Sequence, residues 1–194
     1  MINDKHTEES VELDIRRYER FLAGDQQGFE ELVLEHKDGL IYFILQYIKD
    51  IDLAEDLAQD AFVEVFIHKE RYNRKTKFKT YLYTIGRNKA VDYIRKNKHM
   101  QLTEDIEEHH DMVKDDELIE RLIRHEKSEC IMKALQKIKD DYAKAIILVE
   151  FEELSYKEVA SILGKSIPQV KVLIHRAKKS LKKVLEEEGF LYEG

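Results

Sequence analysis

Tryptophan is absent from the 194 residues, cysteine and proline occur once each, and glycine only seven times. The lone cysteine, Cys130, excludes an intramolecular disulfide and suits a reducing cytoplasm, where such a residue is ordinarily a small buried apolar one. A single proline excludes the turn punctuation of a β-sandwich. Three glycines, Gly164, Gly189 and Gly194, fall at expected helix ends or at the terminus. No apolar run approaches the roughly eighteen residues of a membrane span; the longest, LIYFIL, covers 40–45. The opening MINDKHTEESVELD is acidic and polar, so no signal peptide is expected. A helical, cytoplasmic chain is what these absences leave.

Charge is what the chain has in abundance. Charged residues make up 38% of it and the formal net charge is −7, an odd balance for a nucleic-acid binder until it is divided by segment. Residues 69–98 hold eleven Lys and Arg against Glu70 and Asp92, a net of +9. Residues 165–183 hold seven and no acid. Between them, 103–117 hold eight acids against Lys114, a net of −7. Two basic islands divided by an acidic block imply different partners for different segments.

Apolar periodicity predicts an all-α chain of two small helical domains joined by an acidic flexible linker. A polar tail, 1–12, precedes a first domain over 13–98, with helices at 16–22, 25–50, 52–68 and from 76 or 77 to 98. Asp52 is expected to cap the third of these, with Glu55 closing a capping box. Residues 69–77 lack periodicity and read as a loop. The linker spans 99–121 and contains His109 and His110, which are more simply solvated than metal-bound. A second domain over 122–188 carries helices at 123–138, 141–151, 156–163 and 167–188, before a short tail, 189–194.

The second domain contains a helix-turn-helix pattern, LSYKEVASILGKSIPQVKVLIHRAKKSL, over 154–181. Ser155 with Glu158 and Ser166 with Gln169 form two capping boxes. Gly164 between them permits the positive φ of a sharp turn, and Pro168 falls in a first turn, where its missing N–H costs nothing. Val170, Ile174, Ala177 and Leu181 form the stripe expected to be buried. The opposite side, Lys165, Ser166, Pro168, Gln169, Lys171, Val172, His175, Arg176 and Lys179, is the face that would enter a major groove, with Arg176 and the lysines suited to phosphates or guanine edges and Val172 to a thymine methyl.

In the first domain, LAEDLAQDAFVEVF over 53–66 turns Ala54, Leu57, Ala58, Ala61 and Val65 to a core. Its outer side mixes Asp52, Asp56, Gln59, Val63 and Phe66, with Leu53, Glu55 and Asp60 beside them. Carboxylates among exposed apolar groups suit protein docking, although a merely solvated face has the same composition. A metal-dependent hydrolase would use Asp52, Glu55, Asp56 and Asp60 as ligands, but no histidine joins them at ligand spacing and no phosphate-binding loop appears. Over 69–98, cations alternate with rings: Lys69, Arg71, Tyr72, Asn73, Arg74, Lys77, Lys79, Tyr81, Arg87, Arg95 and Lys96 are the residues that would grip unpaired DNA, with Phe78, Leu82 and Ile85 kept for the core. A DNA-binding repressor or activator without other partners would account for the second domain and leave the acidic helix idle.

Together these segments resemble an extracytoplasmic-function (ECF) sigma factor, of the sigma-70 family. LAEDLAQDAFVEVF resembles that family's segment for core RNA polymerase, FKTYLYTIGRNKAVDYIRK its −10 helix, and ALQKIKDDYAKAIILVEFEELSYKEVASILGKSIPQVKVLIHRAKKSLKKVL its −35-reading domain. Tyr81 and Phe66 stand where the family often has tryptophan. Lys139 and Ala143 replace its usual proline and arginine, and Pro168, Gln169, Val172 and Leu173 replace the commoner residues of the recognition helix. The resemblance implies a sigma domain 2 and a sigma domain 4, with no catalytic site, cofactor or metal. The implied partners are core RNA polymerase at its β′ clamp and β flap, double- and single-stranded promoter DNA, and an anti-sigma factor. It also implies a base captured by the 69–77 loop and an acidic linker that mimics nucleic acid in the polymerase channel.

Overall fold

The computed structural model describes residues 2–101, 131 and 133–187, which contain helices and no strand. Four helices come first: α1 (Ile2–Leu22), α2 (Gln26–Ile48), α3 (Ile51–Ile67) and α4 (Phe78–Gln101), with one 3-10 turn, Lys69–Arg71, ahead of α4. Three follow: α5 (Asp140–Ile146), which runs into a π turn (Ile147–Phe151), then α6 (Tyr156–Leu163) and α7 (Ile167–Glu187). The expected helices at 156–163 and 167–188 agree closely with α6 and α7.

Several boundaries differ from expectation. The stretch 1–12, expected as a tail, is helical from Ile2; nothing in it stops a helix, since it has neither glycine nor proline, and Arg16 reaches back to Glu12 at 3.4 Å. The cap of α3 is Asp50, which accepts the Leu53 N–H at 3.0 Å, and not Asp52. Ile51 is buried at 7% exposure, and seating it as the first helical residue moves the cap one place upstream. Asp52 then lies in the first turn, where a negative charge meets the positive helix end. The helix expected over 141–151 is α in its first part only; the Glu152 N–H reaches the Ile147 carbonyl at 3.0 Å, one residue beyond α spacing. Residues 69–77 are not wholly irregular, since 69–71 form the 3-10 turn. Helix α4 runs past 98 to Gln101, into the expected linker. The rest of the linker with His109 and His110, Cys130, the tail 189–194 and most of the helix expected over 123–138 lie outside the described residues, apart from a helical turn at 133–135 whose Ala134 and Leu135 are buried.

Helices α1 to α4 pack in sequence, α1 on α2, α2 on α3 and α3 on α4, with α4 closing back on α2. Gly28 allows the first crossing: a Cβ there would strike the Arg17 carbonyl oxygen and come within 2.9 Å of the Phe21 nitrogen. Gly86 does the same for α4 against Leu40. Leu32, Leu40, Phe43 and Ile44 of α2 are wholly buried, each contributing on the order of 2 kcal/mol through burial. Inside the bundle, His36 Nε2 lies 2.9 Å from Asp14 Oδ2. The core does not stop at the first four helices; one continuous cluster runs from Tyr18 through Phe43 and Leu82 to Ile147, Val159 and Ile174. Residues Ala143 to Leu148 of α5 and its π turn are buried in succession, and α4 packs on α6 and α2 on α5.

Candidate nucleic-acid interface

The helix-turn-helix is built as its local chemistry dictates. Glu158 Oε2 accepts the Ser155 N–H at 2.8 Å while Ser155 Oγ accepts the Glu158 N–H at 3.3 Å. The second box repeats this at Ser166 and Gln169, at 2.8 and 3.4 Å. Gly164 adopts φ 63° and donates its N–H back to Ala160 and Ser161. Val170, Ile174 and Ala177 are buried, whereas Leu181 is only half-buried and Leu185 completes the stripe. Lys165, Ser166, Pro168, Gln169, Lys171, Val172, His175, Arg176 and Lys179 are all exposed. A shallow groove of about 410 Å³ brings Lys165, Gln169, Val172 and Arg176 together with Tyr142 of α5. Tyr142 is a groove residue that sequence reasoning missed, because nothing local links it to α7.

On α3, Ala54, Leu57, Ala58, Ala61 and Val65 are buried. Asp52, Glu55, Asp56, Gln59, Asp60, Val63 and Phe66 are exposed, and Leu53 is half-buried. Phe66 is not a free ring: its centroid lies 5.4 Å from Phe21 and 5.2 Å from Phe29, so one face covers the α1–α2 aromatic cluster. Ile67, at 65% exposure, extends the apolar part of this surface and was absent from the sequence-based set.

The segment leading into α4 divides its residues differently from expectation. Phe78, Leu82 and Ile85 are buried as anticipated. Tyr72 is also buried, at 5% exposure, and so cannot meet DNA in this conformation. Its hydroxyl donates to the Thr76 carbonyl at 2.8 Å and its ring stacks on Tyr81 at 5.2 Å; burial pushes its ionisation up to about 12. A ring in a basic stretch serves a core or a base equally well by sequence, and packing against Tyr18 and Phe78 decides for the core. Tyr18 Oη in turn donates to the Lys69 carbonyl at 2.7 Å, fixing the 3-10 turn to α1. Arg71, Asn73, Arg74, Arg95 and Lys96 are exposed, with Arg74 paired to Glu19 at 2.8 Å and Arg95 to Asp92 at 3.1 Å. Lys69 lies over the Phe21 ring at 5.4 Å, and half-buried Arg87 donates to Asn88 at 3.3 Å. An open groove of about 360 Å³ joins Asp60, Val63 and Ile67 of α3 to Arg71 and to Lys89, which pairs with Glu64 at 2.9 Å. Lys89 is a second residue the sequence reading passed over.

Lys77 and Lys79 are half-buried and paired with carboxylates. Lys77 Nζ is 3.3 Å from Glu158 and Lys79 Nζ 3.1 Å from Glu152. Burial alone would raise the Glu158 carboxyl, but the hydrogen bonds from Ser155 and the charge of Lys77 outweigh it and hold the group below the usual glutamate range. Among the described residues no group of three or more His, Cys, Asp or Glu is arranged to hold a metal, and no helix is long and apolar enough to cross a membrane.

Comparison with known proteins places the chain in a family. The models for Sigma-70 region 2 and Sigma-70, region 4 match residues 32–100 and 128–181. The ECF RNA polymerase sigma factor SigW of Bacillus subtilis is 31% identical over 89% of this chain and 96% of its own. The RNA polymerase sigma factor YlaC of the same organism is 32% identical over 81% and 92%. Among solved structures, the sigma factor RpoE in complex with the anti-sigma factor NepR from Bartonella quintana superposes with a TM-score of 0.62 at 24% identity, over 81% of this chain and 96% of that one. CnrH in complex with the cytosolic domain of CnrY gives 0.58 at 22% identity, over 91% and 97%; at such identities the likeness is one of fold. Two region models in the family's order, with relatives matched along nearly their whole length, establish that the chain belongs to the sigma-70 family of RNA polymerase sigma factors, in its ECF branch.

Proposed function

We propose that the exposed outer face of α3, the cationic side of α4 with the turn before it, and the open face of α7 are three contact surfaces of one initiation factor. Asp52, Leu53, Glu55, Asp56, Gln59, Asp60, Val63 and Phe66 dock on the β′ clamp of core RNA polymerase. Arg71, Asn73, Arg74, Lys77, Lys79, Tyr81, Arg87, Arg95 and Lys96, with Lys69, hold the opened −10 element. Tyr72 acts by supporting Tyr81 and not by touching a base. The groove between α3 and Arg71 is where an extruded base fits, its unstacking cost met by the contacts it makes there. Lys165, Ser166, Pro168, Gln169, Lys171, Val172, His175, Arg176 and Lys179 read the −35 element in the major groove. The domains over 13–98 and 122–188 divide these tasks, and the acidic 99–121 segment passes through the basic channel of the polymerase. The factor works in the cytoplasm, makes no covalent chemistry of its own, answers an envelope or extracellular signal, and is held inactive by an anti-sigma factor, as the sigma factor RpoE of similar fold is bound by the anti-sigma factor NepR.

The observation that carries this reading is the order of exposed groups: an acidic-apolar face on α3, then the exposed cations Arg71, Arg74, Arg95 and Lys96 before and along α4, then a cationic face on α7, in the family's order. Transcription from genomic fragments by core polymerase, with and without the purified chain, tests it. Promoter-specific transcripts that depend on the chain are the expected result; binding to DNA with no effect on initiation would instead assign a repressor.

A further inference from the structure

The tip of the loop before α4 is held from α1. Tyr18, buried in α1, carries both feet of the loop, with the Tyr72 ring 4.8 Å away and the Phe78 ring 5.4 Å away. The Tyr72 hydroxyl crosses the neck to the Thr76 carbonyl, which leaves Asn73, Arg74, Lys75 and Thr76 exposed as a closed tip. Inside the tip, Asn73 Oδ1 accepts the Lys75 N–H at 3.1 Å, an Asx turn. Arg74 stands at φ 61°, a left-handed backbone that glycine adopts freely and arginine only at a cost. Lys49 has a similar φ because it caps α2, whereas Arg74 ends no helix. The Arg74 guanidinium is drawn instead to α1, where Nη1 donates to Glu19 Oε1 at 2.8 Å across 55 residues of sequence.

We propose that Glu19 is a positioning residue for the opened strand: it seats Arg74 in this conformation before DNA arrives, so that the tip meets the strand already shaped. A glycine would build the same turn without strain, so the arginine is kept for what its side chain does there. A guanidinium has five N–H donors in a fixed fork, more than one carboxylate oxygen takes. Those left over suit the oxygens of a strand phosphate. The pair itself adds little stability, since its side chains are 46% and 50% exposed. Its effect is on order, because a tip already fixed gives up less conformational freedom on binding. Glu19 has this role only if Arg74 touches the strand, as proposed above, whereas its hold on the tip is independent of DNA.

Hydrogen exchange at the Lys75 amide, followed by NMR on the full-length protein, reads the tip without DNA. In Glu19→Ala this amide should exchange about threefold faster. The double variant Glu19→Arg, Arg74→Glu reverses the pair at constant net charge and should restore the original rate. Binding of a mixed-sequence single-stranded oligonucleotide by the full-length chain then reads the contact, at low salt, where cation–phosphate attraction is strongest. Glu19→Ala should bind about threefold to tenfold more weakly than Glu30→Ala, which removes an equal charge from α2. Arg74→Ala should bind more weakly than the unaltered chain, and the reversed pair should stay weak because no guanidinium stands at 74. The variants change exposed side chains only, so thermal melting should hold. An unchanged exchange rate in Glu19→Ala overturns the hold on the tip, and with it the positioning role. A faster rate with binding equal to that of Glu30→Ala overturns the positioning role and leaves the contact of Arg74 standing. No binding by the unaltered chain, unweakened binding by Arg74→Ala, or full binding by the reversed pair removes Arg74 from the strand, and both readings fall together.

Discussion

Glu158 shows how much one side chain can be asked to do. It closes the capping box of α6, pairs with Lys77 and accepts from Thr80. Because its folded carboxyl titrates below the ordinary glutamate range, its stabilisation is complete above that range and is lost as pH falls through the lowered value. Glu158→Gln keeps the cap and loses the charge. Thermal melting of the unaltered chain should therefore exceed that of the variant at neutral pH, by the equivalent of about 1 kcal/mol or less, and the difference should vanish in acid. Arg176 is a residue of the other kind, exposed and idle in the free protein. Arg176→Ala should weaken binding to a −35 duplex by about 1–3 kcal/mol if the guanidinium forms a bidentate base contact, measured by fluorescence anisotropy with melting unchanged. The roles of Ser155, Gly164, Ser166 and Pro168 were all legible beforehand, since each acts within one turn of its own position. The burial of Tyr72 and the groove position of Tyr142 were not, because both are settled by rings and helices distant in sequence.

At the scale of elements, α2 depends on a close crossing and α3 on two opposite faces. Gly28→Ala places a methyl against the Arg17 carbonyl, which belongs to helix backbone and cannot swing aside. The substitution should cost about 1–3 kcal/mol, visible as a lower midpoint in urea. On α3 the double substitution Asp56→Arg, Gln59→Arg reverses one charge and adds another, on exposed positions only. Co-purification with core polymerase should be lost while the melting temperature holds, and an unaltered yield of complex would remove α3 from the docking surface. The existence of α2, α3, α6 and α7 follows from period alone. Their ends are less certain to read: Asp50 and Asp52 are equally good caps in isolation, and the burial of Ile51 selects between them. The helical run of α1 back to Ile2 is likewise unmarked by any apolar stripe in that polar stretch.

For the whole molecule, the charge blocks matter through their arrangement. A net charge of −7 spread as +9, −7 and a second basic island should make the isolated chain a poor ligand for DNA despite its cationic helices. Deleting 103–117 removes eight acids and should raise the affinity of the free protein for promoter DNA, with a steeper dependence on salt. An affinity that stays flat on deletion would show that the acidic block does not screen the basic islands.

The amino-acid sequence by itself determined the helical class, the two capping boxes, the Gly164 turn and the segregation of charge, because each follows from neighbours within a turn or two of chain. It also determined the family, through two matched regions in their order. Tertiary structure alone decided which basic residues remain open to a partner. Lys77, Lys79 and Arg71 are alike as letters, yet two of them meet carboxylates more than seventy positions away while the third faces solvent. A side chain's charge is local, but the field it meets is assembled by packing, and no short-range pattern records that.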